Sequence, residues 1–147
     1  VAIVVKLYGL TTRDVIKQTG ASVDLLGANP AILSLHTSTY VPNRDTDDFF
    51  NDATNEIAGS GYAQQTLAGK TVTYDSASDE VRFDCNDITF SFTGSNTWRT
   101  GVVWINTAGA STTDPLYGNL DWGTDQTVST TYTLTIDPAG LFFWDTT

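Results

Sequence analysis

His36 and Cys85 are each the single residue of their type in the chain, and together they decide most of the chemistry the sequence can be asked to do. A serine, threonine or cysteine nucleophile needs a base to take its proton. His36 is the one imidazole on offer. On a strand through Ile32–Thr37 it faces away from Leu33 and Leu35, and the sequence gives it no partner. Cys85 shares a face with Val81 and Phe83 in Val81-Arg82-Phe83-Asp84-Cys85, which is the setting of a buried, inert thiol. A lone cysteine can neither close a disulfide within the chain nor build a multi-cysteine metal site. No Gly-x-Ser-x-Gly elbow is present. Ala68-Gly69-Lys70-Thr71 ends like a phosphate-binding loop but lacks the upstream glycine, and reads as a turn before a strand.

Paired carboxylates are the remaining route to catalysis. A glycosidase needs two at a set separation across a cleft. Of 17 acidic residues only Glu56 and Glu80 are glutamates, and nearly all the aspartates fall at turns and strand ends, where Asp is favoured for its bonds to the backbone. Asn43-Arg44-Asp45-Thr46-Asp47-Asp48 resembles the opening of an EF-hand loop. With Asn43 as first ligand, Asp48 stands where the loop needs Gly and Thr54 where it needs a bidentate Glu. The match fails, leaving only a surface calcium site of no standard pattern open. The residues therefore assign no catalytic group, no cofactor and no metal ligand.

The formal net charge is −10, with only seven Lys and Arg. A nucleic-acid binder needs a basic footprint to neutralise phosphates, and the same deficit disfavours anionic membranes, so neither is an expected partner. No stretch approaches the ~20 apolar residues of a membrane-spanning helix. Val1–Lys6 reads as a strand and not as a signal peptide. A valine at position 1 suggests a processed end or a GTG start translated literally, the latter pointing to a bacterial or phage gene.

Aromatic side chains invite a lectin reading, since Trp98, Trp104, Trp122, Trp144, Tyr62 and Tyr117 could stack on sugars. Trp104 lies in an apolar run and Trp122 continues the face of Leu116 and Leu120, so most belong to the core. Trp98, beside Asn96 and Arg99, is the best candidate for an exposed ring. Leu141-Phe142-Phe143-Trp144 places large apolar side chains on both faces of a strand, and Val4 opposes Ile3 and Val5 in the same way. Either both segments are covered internally, or one packs against a partner. Val4, Phe142, Phe143, Trp144 and Trp98 are accordingly the candidate partner-binding residues.

The elements that would position these residues are mostly strands. Helix formers are scarce and β-favouring residues abundant. Val1–Tyr8, Ala31–Thr37, Ile88–Phe92 and Tyr132–Ile136 alternate. Thr71–Tyr74 and Glu80–Asp84 flank a hairpin turn. Gly101–Ile105 is apolar on both faces and should be a central, doubly covered strand. Leu116–Trp122 follows, and Asp137-Pro138-Ala139-Gly140 has the residues of a type I turn. Short helices are expected at Arg13–Gln18, capped by Thr12 and closed by Gly20, and at Asp45–Asp52. The pattern predicts one all-β domain over residues 1–147 with one or two short helices, as a β-sandwich or small β-barrel.

The order of segments from Leu35 to Asp75 carries a resemblance. Leu35-His36-Thr37-Ser38-Thr39-Tyr40-Val41-Pro42-Asn43 is followed by Asp45–Asp52, Asn55-Glu56-Ile57, Gly59-Ser60-Gly61-Tyr62 and Leu67–Asp75. With Val81–Asp84, Asp87–Phe90 and Leu116–Gly123 further on, it resembles a family of small virion structural proteins of tailed bacteriophages. The resemblance spans about two-thirds of the chain; it rests on order and spacing, and no single motif in it is diagnostic. It implies no enzyme activity and no cofactor. It implies a capsid decoration (cement) or minor head protein on the capsid exterior, with the major capsid protein and copies of itself as partners, in a homotrimer at three-fold positions. The alternative is a tail-associated or receptor-binding module that holds carbohydrate or protein.

Overall fold

The computed structural model describes residues 4–7 and 25–145, with side chains from 25 to 143. The expected helix at Arg13–Gln18 and the side chains of Val4 and Trp144 lie outside what is described. The described residues form an all-β arrangement of three antiparallel sheets with two short 3₁₀ turns, at Phe50–Asp52 and Ser111–Thr113. Among the described residues no helix is long and apolar enough to cross a membrane.

The largest sheet contains β1 (Val4–Leu7), β2 (Ala31–His36), β3 (Gln65–Thr66), β7 (Asn96–Ile105) and β8 (Leu116–Val128), in the order β1-β8-β7-β2-β3. β7 is its spine. Every residue from Thr100 to Ile105 is buried, as a doubly covered strand requires. Leu33, Leu35, Val103, Ile105 and Leu120 enter the main core from one face. Ile32, Val102, Trp104 and Leu116 enter a second, smaller core with Tyr40 and Ala53 on the other. The strand period of two distributes an almost continuous apolar run between two cores. Gly101 is needed where Trp122 crosses the sheet, because a Cβ there would sit 3.0 Å from the indole ring.

A second sheet is built from β4 (Thr71–Asp75), β5 (Glu80–Asp84) and β10 (Phe142–Asp145), in the order β10-β5-β4. The expected hairpin is there, in register from Thr71 opposite Asp84 to Asp75 opposite Glu80. Gly140 closes the turn that leads into β10, its N–H donating to the Asp137 carbonyl at 2.7 Å. Its φ of +103° and its approach to the Phe83 carbonyl leave no room for a side chain. The third sheet pairs β6 (Ile88–Ser91) with β9 (Thr131–Leu134). Phe83 and Phe142 from the second sheet, and Ile88, Phe90 and Leu134 from the third, join the main core of the first.

Two expectations about local structure are corrected. Asp45–Asp52 is not one or two turns of helix; only Phe50–Asp52 is helical, as a 3₁₀ turn. Its polar side chains bind the backbone instead. Asp47 Oδ2 accepts from the Asn43 N–H, Asn43 Oδ1 from the Asp45 N–H, and Asp52 Oδ2 from the N–H groups of Asp48 and Phe49. Such local bonds compete with helix formation. The strand expected at Leu116–Trp122 runs on to Val128, because its pairing with β7 skips from Asp121 to Gln126 and resumes beyond the bulge.

Candidate functional site

His36 does have partners, and the strand supplies the first of them. Ser34 and His36 lie two apart on β2, on one face, with Ser34 Oγ 2.9 Å from His36 Nε2. His36 Nδ1 lies 2.8 Å from the Thr54 carbonyl oxygen. A carbonyl only accepts, so Nδ1 carries the proton and Nε2 accepts from the Ser34 hydroxyl. Tyr40 and Phe50 wall the ring. Desolvation by this burial dominates, and holds the imidazole pKa below its ordinary value against the opposing pull of Thr54 and Glu56. A hydroxyl hydrogen-bonded to a neutral imidazole has the atoms of a nucleophile and its base. Both side chains are wholly buried, however, which leaves the Ser34 oxygen no open side toward a substrate. The pair was readable in the sequence as Ser-x-His on an alternating strand.

Cys85 is buried beside Phe83, with its thiol pKa pushed up to about 11, first by desolvation and then by the charges of Asp84 and Asp87. The described carboxylates do turn and strand-end work. Asp75, Asp84, Asp121 and Asp137 each accept from a backbone N–H one or two residues on. Asp87 receives the Ile136 N–H and Asp114 the Thr107 N–H. Glu56 accepts from the Tyr62 hydroxyl at 2.6 Å while that hydroxyl receives the Leu35 N–H; burial first, and then the carboxylate of Glu56, raises the Tyr62 pKa against the opposing pull of the Leu35 N–H. Among the described residues no group of three or more His, Cys, Asp or Glu is arranged to hold a metal ion.

The partner-binding candidates separate. Trp98 is not an exposed ring; it is fully buried against Phe92, Tyr132 and Trp122. The alternation of β7 turns it inward, and its polar neighbour Asn96 is buried too, donating to the carbonyls of Ser60 and Gly94. Phe142 is likewise core, 1% exposed, with its ring edge-to-face with Tyr117 and tilted against Phe83. Phe143, on the opposite face of β10, is 58% exposed. Val4 is placed by its backbone alone, opposite Asp121 of β8.

Sequence reasoning missed the exposed apolar residues Leu26, Val41, Val72 and Tyr74; the last two, 40% and 59% exposed, lie on β4. Their signal was a β-branched and aromatic strand joined by a hairpin to a single neighbour. The same sheet carries a polar cleft of about 360 Å³ lined by Thr71, Thr73, Tyr74, Asp75, Arg82 and Asp84, with the Pro138–Gly140 turn at its rim. Arg82 is engaged there, 2.8 Å from Asp75 and 3.0 Å from Glu80.

Compared with known proteins, the chain matches no family model, no curated protein and no solved structure.

Proposed function

We propose that this chain is a non-enzymatic virion structural protein of a tailed bacteriophage, a decoration or minor head protein that binds the major capsid protein on the capsid exterior. In this reading the three sheets form a β-sandwich, and the domain contributes buried area across capsomer junctions. The observation that carries it is Phe143, a large aromatic side chain left in solvent on a regular strand whose other face is core. An aromatic anchor of this kind supplies much of the energy of a protein–protein contact, often ~2 kcal/mol or more. The segment order from Leu35 to Asp75 supports the virion assignment.

The test is attachment to particles that lack the protein. Phe143→Ser should abolish or strongly weaken binding with its melting temperature unchanged. Binding undiminished by that substitution removes the anchor, and density for the chain on the tail alone removes the decoration reading.

A tail-associated or receptor-binding module is the second reading. It is favoured by the polar cleft beside exposed Tyr74, which offers hydroxyls, carboxylates and an aromatic edge of the kind sugars use. The burial of Trp98, Trp104 and Trp122 takes away the strongest stacking platforms and favours the first reading. Glycan-array binding by the isolated protein separates the two; the decoration reading expects none.

A further inference from the structure

β4 is an edge strand: its neighbour on one side is β5, and its other side has no strand among the described residues. Four of its five residues, Thr71 to Tyr74, are exposed and Asp75 is partly so. Its outer backbone groups find no partner among the described residues, and such an edge is a template for another strand.

Two apolar rows cross the small sheet toward this edge. One runs from Phe142 through Phe83 to Val72, and the other from the Trp144 position through Val81 to Tyr74. Both end in solvent, at Val72 and Tyr74. An antiparallel partner strand of the same sequence would continue them. The register that overlaps all five residues of Thr71–Asp75 places Thr73 opposite Thr73, Val72 opposite Tyr74 and Thr71 opposite Asp75. Each row of one copy then runs into the other row of the second. An aromatic and a β-branched residue are a favourable cross-strand pair, and no carboxylate faces another.

The charges beside the edge agree with this occupant, against the general repulsion between two chains of net charge −10. Lys70, one residue before β4, makes no ion pair among the described residues. In the symmetric register it falls opposite Ser76 of the second copy, in the hairpin turn flanked by Asp75 and Glu80. A cation thus meets an acidic turn at both ends of the seam. The arrangement is isologous, with the two-fold axis through Thr73.

We propose that β4 is a self-complementary docking edge that pairs antiparallel with β4 of a second copy of this chain. A seam of five residues a side buries less than the ~1,200 Å² of a standard stable interface. It therefore forms at high local concentration, as between copies held side by side on a surface, and is weak between free chains. The pairing stands on β4 alone and does not depend on where the protein resides.

Cysteine trapping tests it with the full chain. Thr73→Cys brings two thiols to the symmetry axis at a Cα separation of ~5 Å, within disulfide range. Under mild oxidation T73C should become a covalent dimer. V72C alone and Y74C alone should remain monomeric, while a mixture of the two should cross-link. Cys85 is buried and stays silent. Each variant is melted first, so that only folded protein is compared. In sedimentation, the unmodified chain should rise with concentration from 15.9 kDa toward twice that mass, and V72K should stay at the monomer mass. A T73C protein that stays monomeric, or a V72C protein that cross-links to itself as readily, overturns the proposal. So does an unmodified chain that remains monomeric at every concentration, which would leave the edge to a strand of a different protein.

Discussion

Phe142 and Phe143 are adjacent on β10 and point to opposite sides, one 1% exposed inside the main core and the other 58% exposed to solvent. Their substitutions should separate cleanly. Phe142→Ala removes a ring that packs on Tyr117 and Phe83, and should cost about 3–5 kcal/mol in chemical denaturation. Phe143→Ser should leave the denaturation midpoint within about 0.5 kcal/mol of the unsubstituted protein. Equal losses from the two would show that Phe143 is covered within the chain.

His36 predicts an acid-sensitive contribution to stability. Its pKa in the folded protein lies below the ordinary value of 6.5 because burial disfavours the charged ring. The unfolded chain therefore takes up the proton first. The contribution is complete above about pH 6.5 and is lost as pH falls through that value toward the folded pKa. Denaturation midpoints should decline between about pH 7.5 and 5.5, above the range where exposed carboxylates titrate. His36→Gln should be less stable at neutral pH yet flatten this decline. An undiminished slope in the variant would assign it to other groups.

Cys85 should react with a thiol reagent only when the chain opens. A pKa of about 11 leaves roughly one thiol in a thousand ionised at pH 8, and burial blocks approach to that fraction. The modification rate should rise with denaturant in step with unfolding. Prompt modification of the folded protein would contradict the placement.

Gly101→Ala tests the crossing of Trp122 over β7. The added methyl would lie 3.0 Å from the indole and 3.1 Å from Leu33. Between two buried side chains neither can retreat freely, so the substitution should cost about 1–3 kcal/mol. Gly140→Ala should be destabilising for a different reason, its positive φ and the Phe83 carbonyl 2.9 Å from a new Cβ. A thermal melt unchanged in either variant would refute the corresponding contact.

Strands with clear alternation were the readable part of the fold. β2, the β4–β5 hairpin, β6 and β9 fall where the period of two and the turn residues place them. The burial of Gly101–Ile105 on both faces followed from a run apolar on both sides of a strand. Trp98 misled because its neighbours in sequence are polar, and nothing local reveals that Asn96 is itself buried by bonds to distant carbonyls. The continuation of β8 past Gly123 was hidden because its pairing resumes across a bulge, and Gly123-Thr124-Asp125 has the composition of a turn. At Asp45–Asp52 the first-turn carboxylates suggested a helix, whereas the bonds they make are to the loop's own backbone. The exposure of Val72, Tyr74 and Phe143 depends on which strands become sheet edges, and topology decides that.

The pairing of β1 with β8, Val4 opposite Asp121, sets an order of events during synthesis. β1 leaves the ribosome about 110 residues ahead of β8, its one sheet neighbour among the described residues. At ordinary elongation rates that is a wait of roughly ten seconds. β2 waits as well, since its long partner β7 comes some 60 residues later. The β1 side of the large sheet thus cannot close until β8 has emerged, well after β2 and β7 are free to pair. A nascent chain stalled before β8 would carry an unpaired Val-Val-Lys-Leu strand, the kind of segment that chaperones bind.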